Sequence, residues 1–340
     1  MGVTLENVSL FEGETKILDS ISFTAPGAKI TVILGESGSG KTTTLRIIAG
    51  TLKQSAGHVY IDEVCVDEMP PWKRNVGMVF QDAALFPHMS VYENVAFGLE
   101  ARGWSAGDIH KRVLELLELV GIRDLANRKP HQISGGEKQR AALARALAPN
   151  PSVLLLDEPF SNLDMPLRKK LGEELITIQR KLSSTFIYVT HDLSEAFTFA
   201  NYMVILHEGR MLQSASPEVI WRRPATPDVA KLIGMFPLYP EKAKGKSVLG
   251  QYEWDDDVIL FVHPSDVKML SSGDIEGEII SRRYEGGLAM IKVASKYGVL
   301  NFFANPEEKV AIGKKIRILI NYDNIVAFPA PQNQYRESHP

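Results

Sequence analysis

An apolar strand that runs straight into a glycine-rich turn and then a helix leaves a chain few ways to fold. Here Lys29 to Leu34 is such a strand. It is followed by Gly35-Glu36-Ser37-Gly38-Ser39-Gly40-Lys41-Thr42, and then by a helical pattern that ends near Gly50. Glycines let successive backbone N–H groups turn inward around an anion without Cβ clashes. The helix that follows adds its free N-terminal donors and the positive end of its dipole. The spacing G-x-x-x-x-G-K-[ST] is therefore that of a phosphate-cradling loop. In it Lys41 reaches the β- and γ-phosphates as a point charge, and Thr42 offers a hydroxyl to Mg²⁺.

Val153-Leu154-Leu155-Leu156 is a second apolar strand, and it ends in Asp157-Glu158. Such a strand end places a carboxylate at the C-terminal edge of an open α/β sheet, where nucleotide sites lie. Asp157 is the expected Mg²⁺ holder, and Glu158, pointing elsewhere, the group that polarises an attacking water. Gln81 follows the strand Val76 to Phe80, and His191 follows Thr185 to Thr190. If both strands join the same parallel sheet, Gln81 ligates Mg²⁺ or positions water and His191 bonds the γ-phosphate. Ser134-Gly135-Gly136-Glu137 reads as a capping box on the helix Lys138 to Ala148. Its helix N-terminus also makes an anion-binding surface. Two phosphate surfaces for one nucleotide are reconciled if each chain's second surface faces the phosphate loop of another copy.

Strands alternate with helical patterns at Ile109 to Val120 and Leu167 to Leu182, which argues for a mainly parallel sheet with helices on both faces. Beyond Met235 short strands recur at Val258 to Val262, Gly277 to Ile280, Ala289 to Val293, Gly298 to Phe303 and Lys315 to Ile320, with a Gly286-Gly287 turn. That pattern predicts a small all-β barrel. The expected division is a nucleotide-binding domain over 1–236, with a helical subdomain at about 83–150. A linker follows at 237–250, then a β-barrel at 251–330 and a frayed tail at 331–340. The 38 basic and 41 acidic side chains nearly cancel, so charge makes no case for a nucleic-acid partner. One cysteine, Cys65, fits a reducing compartment. No apolar run approaches the ~18 residues of a membrane span, and the N-terminus lacks a secretory pattern, so any membrane work is expected to go through partners.

Taken together, the motifs resemble the ATP-binding cassette family. The phosphate loop, Val79-Phe80-Gln81-Asp82, Ile133-Ser134-Gly135-Gly136-Glu137, Leu154-Leu155-Leu156-Asp157-Glu158-Pro159, Ser161-Asn162-Leu163-Asp164 and Val189-Thr190-His191-Asp192 occur in that family's order. The resemblance implies an α/β P-loop NTPase with a mixed sheet core, an antiparallel β subdomain and a helical subdomain, followed by an all-β barrel resembling an oligonucleotide-binding (OB) fold. It implies hydrolysis of ATP with Mg²⁺ in a head-to-tail homodimer. Gly35, Ser37, Gly38, Ser39, Gly40, Lys41, Thr42 and Thr43 would hold the nucleotide, with Phe11 against the adenine. Thr42, Gln81 and Asp157 would hold the metal, and Glu158, His191 and Gln81 would act in catalysis. Ser134, Gly135, Gly136 and Asp164 would come from the other subunit.

The β-rich C-terminal segment, with His263-Pro264-Ser265-Asp266-Val267, resembles the accessory domain of solute importers, although His263 stands where arginine is usual. By resemblance the chain energises uptake of a sugar, polyamine, ferric iron or an oxyanion such as sulfate or molybdate. It would do so at the cytoplasmic face of the membrane, through permease subunits docked near residues 81–98 and, indirectly, an extracytoplasmic solute-binding protein. The alternatives are a soluble cassette ATPase of DNA repair or translation, and an exporter subunit. The first commonly shows a second cassette or an inserted coiled coil, and this chain has neither.

Overall fold

The structure is a computed structural model that describes residues 2–330 apart from 162, 244–245, 251, 255, 286 and 309. The tail at 331–340, and Asn162 and Gly286 of the motifs above, lie outside the described residues. The chain divides into two compact units, Met1–Pro217 and Glu218–Pro340.

In chain order the first unit contains strands β1 (Gly2–Glu12), β2 (Thr15–Pro26) and β3 (Ile30–Leu34), then helix α1 (Lys41–Ala49). Next come β4 (Ala56–Ile61), β5 (Val64–Cys65), β6 (Val76–Val79), α2 (Val91–Glu100), α3 (Ala106–Leu119), α4 (Gly135–Leu147), β7 (Val153–Asp157) and α5 (Met165–Leu182). The unit closes with β8 (Thr185–Thr190), α6 (Leu193–Phe199), β9 (Tyr202–His207) and β10 (Arg210–Ala215). The main sheet runs β10-β9-β3-β8-β7-β6, with every neighbouring pair parallel except β9 and β10. All residues of β3, β7 and β8 are buried, as expected of parallel strands covered on both faces. An antiparallel sheet, β2-β1-β4-β5, supplies Leu5, Ile21 and Val59 to a core shared with Ile47 of α1 and Leu155, Ile187 and Val204 of the main sheet. Helices α2, α3 and α4 fall within the stretch read as a helical subdomain.

The second unit is all-antiparallel beyond two short helices, α7 (Pro217–Arg222) and α8 (Pro227–Leu232). Its strands are β11 (Phe236–Leu238), β12 (Glu241–Ala243), β13 (Lys246–Leu249), β14 (Tyr252–Trp254), β15 (Val258–Val262), β16 (Val267–Met269), β17 (Ile275–Glu285), β18 (Leu288–Ser295), β19 (Gly298–Ala304), β20 (Lys315–Ile320) and β21 (Val326–Pro329). The largest sheet, β16-β20-β17-β18-β19, bends until β16 lies against β19, which gives the nearly closed barrel of an OB-like domain. Its interior holds Ile279, Ile291, Leu300, Phe302 and Ile318.

Two boundaries differ from the sequence reading. The units divide after Pro217, ahead of residue 236. The stretch 237–250 is not a linker: it carries most of β11 together with β12 and β13. Pro237, which suggested a break, sits on β11 at the edge of the sheet β11-β15-β21, where proline's missing N–H does no damage.

Helix α5 approaches α6 at a glycine. A Cβ on Gly172 would stand 2.0 Å from Phe199 Cζ. Gly172→Val is expected to lower stability by about 1–3 kcal/mol through overpacking, read as a lower urea midpoint.

Candidate active site

The phosphate loop joins β3 to α1 in a conformation that needs its glycines. Gly38 and Gly40 have φ of 82° and 96°. A Cβ at Gly40 would lie 2.4 Å from Leu18 Cδ2, and one at Gly35 would lie 2.3 Å from Leu206 O. The loop wraps the Lys41 ammonium, which donates to Gly35 O at 2.9 Å and Glu36 O at 2.8 Å. Burial pushes the Lys41 pKa down, while the charges of Glu158 and Asp157 oppose the shift. Ser39 Oγ is buried and has no hydrogen-bond partner. An orphaned donor in a cradle that a Cβ would fill is the arrangement a phosphate group satisfies. Ser37 and Thr42 are exposed and Thr43 half-buried on the same segment.

Strand β7 delivers Asp157 and Glu158 beside this loop. Thr42 Oγ1 donates to Asp157 Oδ1 at 2.9 Å. Burial raises the Asp157 pKa, and the Thr42 hydrogen bond works against that rise. Two oxygen ligands at this separation suit a hard cation such as Mg²⁺. Glu158 turns out of the strand with φ of 43°, a left-handed backbone held by its N–H donating to Val189 O at 3.1 Å. Its carboxylate sits between two nitrogens, with Oε1 4.0 Å from Lys41 Nζ and Oε2 3.1 Å from Nδ1 of the exposed His191. A carboxylate oxygen accepts, so this contact suits the His191 tautomer with its proton on Nδ1.

Gln81 stands just past β6 and is exposed. Its Nε2 donates to Ser161 Oγ at 3.1 Å, and Ser161 Oγ donates to Glu158 O at 3.0 Å. No hydrogen bond joins Gln81 to Thr42 or Asp157 among the described residues. The structure thus links Gln81 to the backbone of Glu158 through a serine that the sequence reading gave no role. The signal was present: Ser161 lies three residues after Glu158 in the motif that ends at Asp164. Arg168, which the sequence reading took with Pro166-Leu167 as importer-like but gave no place in the site, donates through Nη2 to Ser161 O and Leu163 O.

Ser134, Gly135 and Gly136 lie away from this cluster, with no hydrogen bond to the phosphate loop among the described residues. Ser134 caps α4 in a reciprocal box with Glu137, as its spacing predicts. The Ser134 amide and hydroxyl donate to Glu137 Oε2 at 2.7 and 2.8 Å, and these bonds lower the Glu137 pKa. Asp164 caps α5 by accepting from Leu167 N at 2.9 Å. The two helix starts adjoin, since a Cβ on Gly136 would stand 3.1 Å from Leu167 Cδ2. Phe11, at the end of β1, is 49% exposed, with Lys16 Nζ 5.6 Å from its ring centre.

Residues 18–161 match the family model described as ABC transporter. The chain is 37% identical to the spermidine/putrescine import ATP-binding protein PotA of Legionella pneumophila strain Philadelphia 1, over 88% of this chain and 89% of that protein. The chain belongs to the ABC transporter family. This ABC ATPase is also 40% identical to the sn-glycerol-3-phosphate import ATP-binding protein UgpC of Rhodopseudomonas palustris, over 85% of this chain and 78% of that protein. Among solved structures it is similar to the cassette MJ0796 in a dimeric post-hydrolysis state bound to ADP and phosphate. That match has a TM-score of 0.57 and 33% identity, covering 63% of this chain and 98% of that one.

Ser39→Ala is expected to separate stability from binding in this ABC ATPase. Losing an unpaired buried hydroxyl leaves the nucleotide-free protein as stable or up to about 1 kcal/mol more stable. Nucleotide affinity falls, and thermal melts with and without ATP read both changes.

Proposed function

We propose that this chain is the ATP-hydrolysing subunit of an ABC importer and that ATP is cleaved between two copies of it. The observation that carries the reading is Glu158, held between Lys41 and His191 beside the Thr42–Asp157 pair at the carboxyl edge of the parallel sheet. ATP enters with its β- and γ-phosphates on the backbone amides of residues 35 to 40. Lys41 then exchanges its carbonyl partners for phosphate oxygens, and Ser39 Oγ gains an acceptor. Phe11 stacks on the adenine. Thr42 and Asp157, joined by Gln81, would hold Mg²⁺, which would supply charge neutralisation to the triphosphate. Glu158 takes a proton from the attacking water as the γ-phosphorus–oxygen bond to ADP breaks. His191 keeps the carboxylate aimed and faces the γ-phosphate side of the site.

The second copy supplies Ser134, Gly135, Gly136 and the Asp164 loop. The start of α4, with Ser134 and Gly135 exposed, is a helix N-terminus of the kind that receives an anion, which supports the head-to-tail arrangement. A triphosphate neutralised from both sides bridges the copies, and cleavage with phosphate loss removes the bridge.

Coupling to a permease runs through residues 81–98. Asn94 is fully buried and staples the preceding loop. Its Nδ2 donates to Phe86 O, Met89 O and Ser90 O, and its Oδ1 accepts from Phe86 N. Phe80 and Phe97 are each 43% exposed at the flanks of that loop, an apolar rim for a short helix of a membrane subunit. No helix among the described residues is long and apolar enough to cross a membrane. The solute is a small molecule, a reading supported by relatives named for spermidine/putrescine and sn-glycerol-3-phosphate import.

Glu158→Gln is expected to bind ATP while hydrolysis falls by about 10²–10⁴-fold, leaving a stable ATP-bound dimer on size-exclusion chromatography. Near-normal turnover would remove Glu158 as the base. Ser134→Arg is expected to abolish hydrolysis with ATP affinity of the single chain unchanged. Unaltered hydrolysis would rule out a site shared between copies.

A further inference from the structure

On the antiparallel sheet, outside the nucleotide cluster, the hairpin of β4 and β5 gathers three different metal-ligating groups. His58, Cys65 and Asp67 each offer a ligand atom, and these atoms lie within 4.8 Å of one another. The hairpin that presents them is tight. Asp62 and Glu63 both take left-handed φ, 49° and 68°, which is the two-residue turn whose twist matches its strands. It fixes the register Ile61 to Val64 and Tyr60 to Cys65. Val59 and Ile61 point into the core, so His58 and Tyr60 share the opposite, outward face.

Asp67 is oriented by its surroundings. Its Oδ1 accepts from Gln54 Nε2 at 2.7 Å and from Val59 N at 2.9 Å. The other oxygen, Oδ2, is thereby turned to His58 Nδ1 at 2.7 Å. Carboxylates that ligate metals are commonly locked in this way by a second set of donors. The Cys65 side chain also reaches the Asp67 carboxylate. His58 and Cys65 are exposed, so a cation and its water have a path in from solvent.

We propose that His58 Nδ1, Cys65 Sγ and Asp67 Oδ2 form a surface site for a zinc-type divalent cation, with water as the fourth ligand. One thiolate and one carboxylate neutralise the double charge, and imidazole completes a borderline-soft donor set that suits Zn²⁺ rather than Mg²⁺ or Ca²⁺. A metal on His58 Nδ1 leaves the neutral imidazole's one proton on Nε2 and displaces the thiol proton of Cys65, so binding releases a proton. The site is independent of ATP hydrolysis and ties β5 to β4.

Cobalt titration of the purified chain tests this, because Cys65 is its only cysteine and any sulfur-to-cobalt charge-transfer band reports on that residue alone. One equivalent of Co²⁺ is expected to produce the band, and one equivalent of Zn²⁺ to remove it. Cys65→Ser abolishes the band, and His58→Ala and Asp67→Asn each weaken Co²⁺ affinity at least about tenfold. Retained MgATP hydrolysis in all three variants shows that they are folded. Absence of the band in the unaltered protein would overturn the site. So would a band of undiminished affinity in both His58→Ala and Asp67→Asn, which would mean an isolated surface thiol.

Discussion

A buried ammonium held beside a buried carboxylate is the constraint from which the nucleotide end of this molecule follows. Lys41 and Asp157 are 5% and 8% exposed, and isolated charges that deep would be costly. Neither is isolated. Lys41 is wrapped by Gly35 and Glu36 carbonyls, and Asp157 accepts from Thr42. Glycine is required where the wrapping backbone passes close to Leu206 and Leu18, so the loop's sequence is dictated by the lysine it encloses. Parallel strands β3, β7 and β8 make this possible, because they end together and bring loop, carboxylates and His191 to one edge.

Much of this was legible in the sequence because periodicity and motif spacing report local structure. Strand β8 runs over Thr185–Thr190, as its pattern predicts. The motif carboxylates and His191 converge as their strand-end positions imply. What stayed hidden depends on contacts between distant segments. The turn of Glu158 toward both Lys41 and His191 needs the Val189 carbonyl on a neighbouring strand. The partner of Gln81 is Ser161, eighty residues away in sequence. Strands β9 and β10 went unread, as did the strands over 237–250, where Pro237 reads as a break until its edge position is known. His58, Cys65 and Asp67 match no spaced motif, and only the turn at Asp62 and Glu63 brings them together.

The second unit shows how a departure from a family pattern is absorbed. His263 stands where arginine is usual before proline. The structure buries its ring against Trp221, with ring centres 3.7 Å apart and planes 10° from parallel. Burial lowers its pKa, so the ring packs as a neutral aromatic, with Nε2 at 3.2 Å from Trp221 O. An arginine there would present a permanent charge. This chain has a stacked pair between α7 and the end of β15 instead.

The left-handed backbone at Glu158 carries a price. A residue with a Cβ in that region costs of order 1–3 kcal/mol, and a neighbouring strand and Ser161 must hold it there. Glycine would relax that bend and make the fold sturdier while removing the acid. The bend thus trades durability of the fold for a carboxylate set between Lys41 and His191.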